Sequence, residues 1–326
     1  MDVLKNIFEN ARKKRPHIVL PEGADERMVM AAAKIVEEDF CTVTLLGDEK
    51  MIQDFSVKNG VSLEGVTVID PKKSEYLEKL GDAFYELRKH KGVTIEEARE
   101  TVKKELFFGA MMVSQGLADG GVAGALNTTG DVLKAGLQCI GLAEGISVVS
   151  GAFLMLVPNW HEPLTYGDAG VCPSPKANQL ASIAISTAKT HQKLTGNEPI
   201  VAMLAFSTYG SASHPIVDKV IEATQLVKSM APDLKVDGEL QGDAALIPEI
   251  GHKKAPESSV AGKANVLIFP DLNAGNIAYK LTERLARAKA LGPLVQGLKH
   301  PFMDLSRGCS VQDIVDVAAI CCVIGD

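Results

Sequence analysis

The sequence lacks the features that would tie the protein to nucleic acid, to a membrane or to secretion. Lysine and arginine total 34 against 41 aspartate and glutamate residues, which gives a formal net charge of −7. Without a basic excess the chain cannot neutralise many phosphates, so we expect no nucleic-acid partner. No window approaches the roughly 20 apolar residues of a membrane span, and no segment resembles a signal peptide. We therefore expect no membrane partner, whereas small anionic ligands need only a few local cations.

Metal-binding patterns are missing as well. The six cysteines include no C-x-x-C pair and the seven histidines no H-x-x-x-H pair. A zinc site is therefore unsupported, and we expect no metal. Free thiols fit a reducing cytoplasm, which is the predicted location.

Common nucleotide and hydrolase motifs are absent from the chain. There is no G-x-x-x-x-G-K-[ST] segment, no G-x-G-x-x-G after the first predicted strand and no G-x-S-x-G. These absences argue against a Walker nucleotide site, a dinucleotide fingerprint and a serine hydrolase.

The sequence does contain a regular alternation of short apolar runs and amphipathic stretches. The predicted strands are "HIVL" (17–20), "TVTLLG" (42–47), "VTVID" (66–70), "GGVAGAL" (120–126), "SVVSGAFLMLV" (147–157), "PIVAMLAFS" (199–207), "NVLIFP" (265–270) and "PLVQGL" (293–298). Strands that alternate with helices predict an α/β protein with largely parallel sheets. The length of 326 residues is enough for two domains of ordinary size.

Helix signals lie between these runs. Thr94 with Glu97 three residues later predicts a capping box. Ser174 and Pro175 predict the start of a helix that ends near Gly196, and the pattern "NIAYKLTERLARAKAL" (276–291) predicts another.

Four loops follow predicted strands and carry polar atoms, and in open α/β sheets ligands bind beyond the carboxyl ends of the strands. The loops are "PEGADER" (21–27), "AGALNTTGDVLK" (123–134), "FPDLNAGN" (269–276) and "SRGCSVQDIV" (306–315). Each one also fits a simple turn with a helix cap, and the residues alone leave both interpretations open.

The fourth loop shows the ambiguity most clearly. Ser310 is a good N-cap, and Asp313 falls at the third helical position, where a carboxylate suits the positive end of the helix dipole. Arg307 stands six residues before Asp313, and a helix start alone has no need of a guanidinium there.

Taken together, these segments resemble the phosphate acetyltransferase (phosphotransacetylase) family. The matching stretches are "LPEGADER", "ELRKHKGVTIEEA", "VAMLAFSTYGSASHP", "DGELQGDAA", "KAPESSVAGKANVLIFPDLNAGNIAYKL" and "HPFMDLSRGCSVQDIV". They extend from residue 20 to the C-terminus, and the last two are long and highly specific.

The resemblance implies a reversible reaction, acetyl-CoA plus phosphate giving acetyl phosphate plus coenzyme A (CoA). It implies two three-layer α/β domains with an interdomain cleft, similar in architecture to isocitrate and isopropylmalate dehydrogenases. The expected domains are residues 1–145 with 298–326, and residues 146–297. The expected oligomer is a homodimer, and acetate kinase is the expected metabolic neighbour. CoA and acetyl-CoA are substrates in this scheme, and no tightly bound cofactor is expected.

The resemblance also assigns roles to residues. Asp313 looks like the base that takes the thiol proton of CoA, Arg307 like the cation that steadies developing negative charge, and Ser306 like a hydroxyl near the thiol. The substrate-binding candidates are Arg88, Lys134, Thr128, Thr129, Arg27 and Asn276. An aspartate at a helix N-terminus should be a weak base, so we expect apolar cover that raises the pKa of Asp313.

This chain departs from the family pattern at several positions. Lys134 stands where the family usually has an arginine, which keeps the charge but loses the bidentate fork. Asn127 stands where many members have a histidine. Ala169 replaces a cysteine and Cys172 an asparagine, so a catalytic cysteine is not expected there, and Cys172 and Cys309 are interpreted as packing residues.

Three alternatives remain open from the sequence. Phosphate butyryltransferase would carry out the same chemistry on a longer acyl chain. A decarboxylating dehydrogenase dependent on a metal and NAD would share the architecture, and Asp237, Glu239 and Asp243 could imitate its carboxylate cluster. A weak paralogue that only binds CoA is the third.

Overall fold

The computed structural model describes residues 3–325, which form two compact units. One unit contains the chain up to Ala143 and again from Leu298, and the other is Glu144–Gly297. None of the helices among the described residues has the length and apolar character needed to cross a membrane.

The first unit is built on a five-stranded sheet in the order β11-β4-β1-β2-β3. The strands are β1 (His17–Leu20), β2 (Thr42–Leu46), β3 (Val66–Ile69), β4 (Gly120–Ala123) and β11 (Phe302–Asp304). Every neighbouring pair is parallel. The carboxyl ends of β1, β4 and β11 therefore lie side by side at one edge, although these strands are far apart in sequence.

Helices surround this sheet. They are α1 (Val3–Lys14), α2 (Glu26–Glu38), α3 (Glu49–Asn59), α4 (Leu77–Arg88), α5 (Ile95–Val102), α6 (Glu105–Ser114), α7 (Thr129–Ala135) and α13 (Val311–Ile324), with a 3₁₀ turn at Lys89–Lys91 and a π-helical turn at Gly136–Ile140. The predicted capping box at Thr94 and Glu97 is confirmed at the start of α5. Helix α13 is buried along most of its length and packs against α1 and α2.

The second unit has a six-stranded mixed sheet in the order β10-β5-β6-β9-β7-β8. The strands are β5 (Ser150–Leu156), β6 (Leu164–Gly167), β7 (Ile200–Leu204), β8 (Lys235–Leu240), β9 (Val266–Ile268) and β10 (Lys289–Gln296). The pairs β10–β5 and β5–β6 are antiparallel and the other three are parallel. Its helices are α8 (Ala177–Thr195), α9 (Pro215–Met230), α10 (Gly242–Leu246), α11 (Pro248–Lys254) and α12 (Leu272–Leu285).

The predicted α/β class with largely parallel sheets is confirmed, and two predicted helix boundaries are wrong. Helix α8 begins at Ala177 rather than at Pro175, because the Gln179 side chain accepts the backbone N–H of Lys176 at 3.0 Å and closes the first turn there. The helix predicted through residue 291 ends at Leu285. Beyond it the chain pairs with β5 as β10, and this long-range pairing overrides the local helical pattern.

Candidate active site

Three loops of the first unit meet at the carboxyl edge of its sheet. They follow β1, β4 and β11, which are adjacent and parallel, and they carry residues 21–27, 124–129 and 305–310. Gly124 shows how closely two of them pack. A side-chain Cβ at this position would lie 2.5 Å from Oδ1 of Asp304 and 2.5 Å from the backbone nitrogen of Leu305, and its φ of +110° also favours glycine.

Glu22, in the first loop, is a buried carboxylate that sequence reasoning did not assign a role. Its Oε2 accepts the backbone N–H groups of Gly124 at 3.0 Å and Ala125 at 2.8 Å, and its Oε1 accepts the backbone N–H of Asn127 at 2.9 Å and the Asn127 side-chain amide at 2.7 Å. Only 3 % of Glu22 is exposed. Neighbouring backbone N–H groups of this kind commonly bind anions, and in this loop an internal carboxylate is their anion.

Arg27 contacts all three loops through its guanidinium. Nη1 donates to the carbonyls of Arg307 at 2.8 Å and Cys309 at 2.9 Å, and Nη2 donates to the carbonyl of Ala125 at 2.9 Å. Nε and Nη2 also donate to Asp25 at 3.0 and 2.6 Å. A guanidinium has five N–H donors, and these five bonds use them all. The predicted contact between Arg27 and a substrate anion stays a prediction. In this structure all the N–H groups of its guanidinium donate to protein acceptors.

Thr128 and Thr129 stand at the start of α7. Thr128 is its N-cap, and its hydroxyl donates to Oδ2 of Asp131 at 2.7 Å and accepts the Asp131 backbone N–H. Thr129 donates its hydroxyl proton to Oδ2 of Asp304 at 2.6 Å. Each hydroxyl has one proton, so neither threonine has a donor left for a substrate anion unless it rotates.

Asp304, at the end of β11, is a second buried carboxylate that the sequence did not single out. It is 1 % exposed, and its Oδ1 has no hydrogen-bond partner among the described residues. Burial raises the pKa of Asp304 to about 6, and the nearby Glu22 carboxylate adds to the increase. The hydrogen bond from Thr129 lowers the pKa but does not cancel the effect of burial. Asp304 is therefore the acidic group of this edge that titrates closest to neutrality among those with a resolved shift.

Arg307 and Ser306 lie in an exposed turn after β11. The Ser306 hydroxyl accepts the Gly308 N–H at 3.3 Å, and the Ser306 carbonyl accepts the Cys309 N–H at 2.9 Å. The backbone carbonyl of Arg307 is held by Arg27, while its guanidinium makes no hydrogen bond or ion pair within residues 3–325. Arg307 thus presents a fixed backbone and an unpaired cation. Cys309 is buried, as the packing interpretation predicts.

Asp313 caps α13 as the sequence predicts. Ser310 accepts the Asp313 N–H, and Oδ2 of Asp313 accepts both the backbone N–H and the hydroxyl of Ser310 at 2.8 Å. The other carboxylate oxygen accepts no hydrogen bond from the described residues. Asp313 is exposed, so the apolar cover that we expected around it is not found. No direct contact joins its carboxylate to the Arg307 guanidinium within the part of the chain described.

Lys134 is exposed on α7 and lines a pocket of about 580 Å³ in the first unit. Two further lysines that sequence reasoning missed, Lys72 and Lys104, line the same pocket. Across residues 3–325 none of the three makes an ion pair. Apolar surface comes from Met51 and Leu126, which are 42 % and 49 % exposed. A pocket of this size falls in the range of small-molecule sites.

Arg88 ends α4 and is partly buried. Its Nε is buried without a hydrogen-bond partner among the described residues, and its positive charge opposes the rise that burial imposes on the pKa of Cys139. Cys139 belongs to the π-helical turn that follows α7. Arg88 is not among the residues that line the pocket of Lys134.

Asn276 belongs to the second unit, on α12. Its side-chain amide donates to the carbonyl of Ala169 at 3.2 Å. The same loop is organised by Asp168, whose carboxylate accepts the backbone N–H groups of Gly170 and Cys172 at 2.8 and 2.7 Å. Asn276 therefore has a structural contact, and its predicted role in substrate binding stays a prediction. Cys172 is partly exposed rather than buried.

The three carboxylates that could imitate a metal site bind protein donors instead. Asp237 accepts from Tyr209, Ser258 and Lys228, Glu239 accepts from Ser207 and Gly210, and Asp243 pairs with Lys254. These three carboxylates therefore do not form the metal-binding cluster that the dehydrogenase alternative requires.

Comparison with known proteins gives matches that cover nearly the whole chain. It matches the family described as "Phosphate acetyl/butaryl transferase" over residues 2–322. A protein named phosphate acetyltransferase from Acetivibrio thermocellus is 52 % identical over 327 aligned residues, which cover 99 % of this chain and 98 % of the relative.

Solved structures agree with this placement. A phosphotransacetylase from Streptococcus pyogenes is 42 % identical and superimposes with a TM-score of 0.93, covering 98 % of both chains. A 4-hydroxythreonine-4-phosphate dehydrogenase from Burkholderia phymatum is 14 % identical with a TM-score of 0.52, covering 94 % of this chain and 98 % of that one. The second likeness concerns the fold alone.

Proposed function

Because the chain belongs to the phosphate acetyl/butyryl transferase family, we propose that it transfers an acetyl group reversibly between CoA and phosphate. One observation supports this most directly. The turn after β11 presents the unpaired guanidinium of Arg307, and the helix that follows begins with the exposed carboxylate of Asp313. A cation and a base on one short segment suit a reaction in which a thiol loses a proton while a carbonyl oxygen gains negative charge.

In the direction of acetyl-CoA formation, the CoA sulfur attacks the carbonyl carbon of acetyl phosphate. Asp313 accepts the thiol proton as the C–S bond forms, and the C–O bond to phosphate then breaks, so that phosphate leaves with the electron pair. A thiol with a pKa near 8.5 is mostly protonated at neutral pH, so a base within reach increases the rate. A carboxylate is much weaker than a thiolate as a base, so the proton transfer is concerted with C–S bond formation.

Arg307 stabilises the oxygen that becomes negative in the tetrahedral intermediate, and Ser306 supplies a hydroxyl beside it. The backbone of Arg307 is held by Arg27, so its side chain is anchored at a defined position. Its guanidinium has no ion pair among the described residues that would have to break before it binds a substrate. Lys134 supplies a point charge for an anionic part of the substrates, and Arg88 is a second candidate for CoA. CoA, acetyl phosphate and phosphate are then the substrates, and the scheme uses no cofactor.

The experiment that tests the function measures phosphate-dependent release of CoA from acetyl-CoA. The wild type should be active, and Asp313→Asn should lose about 100-fold or more in kcat, the usual contribution of a general base. Asp82→Asn, an exposed carboxylate paired with Arg99, is the control that should keep wild-type activity. Wild-type turnover by Asp313→Asn would remove Asp313 from the mechanism. The same assay with butyryl-CoA tests the longer acyl chain.

A homodimer is part of the same proposal. Ile277, Leu281 and Leu285 lie four residues apart on α12 and are 57 %, 53 % and 80 % exposed, so they form an apolar stripe on the second unit. Apolar stripes of this kind are commonly covered by another subunit. If Leu281→Glu left the mass in solution unchanged, this stripe would not be the dimer contact. The cytoplasmic location and acetate kinase as metabolic neighbour stay predictions.

A further inference from the structure

We propose that Glu22 and Arg27 are positioning residues that set the backbone of the two loops carrying the catalytic groups. The inference rests on the proposed acetyl transfer. It gives residues 21–27 a task other than contact with substrate, since Glu22 fixes the loop after β4 and Arg27 connects that loop to the turn after β11.

The hydrogen bonds to Glu22 compensate for the burial of its carboxylate. A buried carboxylate without donors would be costly, and the four hydrogen bonds from residues 124–127 satisfy it. In return, the N–H groups of Gly124, Ala125 and Asn127 are fixed in position and are closed to a ligand. The loop therefore holds its shape whether or not an anion is bound.

The bonds of Arg27 act on the catalytic turn itself. Its Nη1 lies 2.8 Å from the carbonyl oxygen of Arg307 and 2.9 Å from that of Cys309, so it clamps the backbone on both sides of Gly308. Asp25 orients the guanidinium through two bonds. Burial would raise the pKa of Asp25, but the hydrogen bonds from Arg27 outweigh it and lower the pKa, so the pair stays ionised. The planar guanidinium of arginine can donate to all of these carbonyl and carboxylate oxygens at once, whereas the single ammonium group of lysine cannot.

Close packing couples the two loops. Ala125 is held on its N–H by Glu22 and on its carbonyl by Arg27, so both residues act on one peptide segment. Gly124 lies against Asp304 and Leu305, just before Ser306. A shift of the loop after β4 would therefore displace the turn after β11, and the Cα position of Arg307 would move with it.

The test compares Arg27→Lys and Glu22→Gln with the wild type in steady-state kinetics for phosphate and acetyl-CoA. Positioning predicts that kcat falls about 10- to 100-fold, the scale of a misplacement near 1 Å, while KM for phosphate stays within about twofold. A direct anion contact would instead raise KM for phosphate and spare kcat. That result for Arg27→Lys would overturn the proposal.

Controls separate positioning from general damage. Arg99→Lys replaces the guanidinium of a surface Arg–Asp pair with bonds of 3.0 and 2.9 Å, and it should leave both kcat and KM unchanged. Arg27→Ala should regain activity with added methylguanidinium, whereas Arg99→Ala should show no response to it. Loss of thermal stability with unchanged kcat in both Arg27→Lys and Glu22→Gln would also overturn the proposal, because the residues would then only support the fold.

The outcome is distinguishable from failure of the function itself. An inactive wild type, or a fully active Asp313→Asn, would contradict the acetyl-transfer mechanism. An active wild type with an inactive Asp313→Asn and a fully active Arg27→Lys would leave the mechanism standing and remove only the positioning role.

Discussion

At the residue scale, the predicted site residues differ in whether their donors are used inside the protein. Arg27 and Thr129 give their N–H and O–H groups to protein acceptors, whereas Arg307 and Lys134 make no ion pair in the described part of the chain. All four were candidate site residues from the sequence, but the sequence could not separate these roles. The Arg307 carbonyl lies 280 positions from Arg27, and Asp304 lies 175 positions from Thr129, so only the fold reveals these two contacts.

Lys134 is one of the positions at which we expect this chain to depart from the family pattern, and it provides a direct prediction. Lys134→Arg should lower KM for phosphate or CoA by about threefold to tenfold, because a guanidinium can form two hydrogen bonds where an ammonium acts as a point charge. Steady-state kinetics with both substrates measure the change. Lys79→Arg, an exposed lysine on α4, is the matched control, and unchanged KM values for both substrates in Lys134→Arg would contradict the idea.

Asp304 provides a prediction about stability and pH. A carboxyl group that ionises at 3.8 when unfolded and at about 6 when folded holds more protons in the folded state between those values. Stability is therefore greatest below pH 4 for this group and falls as the pH rises through 6. At about 1.4 kcal/mol per pKa unit the loss is at most about 3 kcal/mol.

Asparagine at position 304 keeps an oxygen for Thr129 but cannot ionise. Asp304→Asn should therefore gain stability relative to the wild type between pH 4 and pH 7, as followed by urea unfolding at each pH. A difference between the two proteins that stays constant across this range would show that Asp304 does not titrate as described.

At the element scale, the apolar runs predicted most strands because a strand buried on both faces is apolar throughout. Three strands were not predicted. They are β6, β8 and β11, and β8 contains Asp237, Gly238 and Glu239. Polar residues in β8 are satisfied by side chains from other elements, which a local pattern cannot show.

The start of α13 was predicted correctly because capping is a local interaction. A variant of the N-cap residue can distinguish the capping of α13 from the proposed role of Asp313 as a base. Ser310→Ala should cost about 1 kcal/mol in the free energy of unfolding, since the Asp313 N–H loses its partner, yet kcat should stay within about threefold because the carboxylate remains. Chemical unfolding and the CoA-release assay give the two values. An activity loss as large as that of Asp313→Asn would mean that helix geometry, rather than the carboxylate, determines the rate.

At the scale of the whole molecule, the alternation of strands and helices was sufficient to predict the α/β class, and long motifs were sufficient to predict the family. Composition could not reveal how loops separated by more than 100 residues come together, because that depends on strand order in the sheet. The order β11-β4-β1 places β4 between β1 and β11, so the three strands that lead into the site are consecutive in the sheet. Glu22 and Asp304 were given no role for the same reason: each lies in a stretch that matches the family, but its hydrogen-bond partners are far away in the sequence.

The central claim is that Asp313 and Arg307 act in the same chemical step, and a double-mutant cycle on kcat tests it most directly. Asp313→Asn, Arg307→Gln and the double variant are compared with the wild type in the acetyl-transfer assay. Residues that act as a unit give non-additive losses, so the double variant should be about as slow as the slower single variant. If instead the two losses multiplied in the double variant, Asp313 and Arg307 would act independently, and the proposed joint action in one chemical step would be wrong.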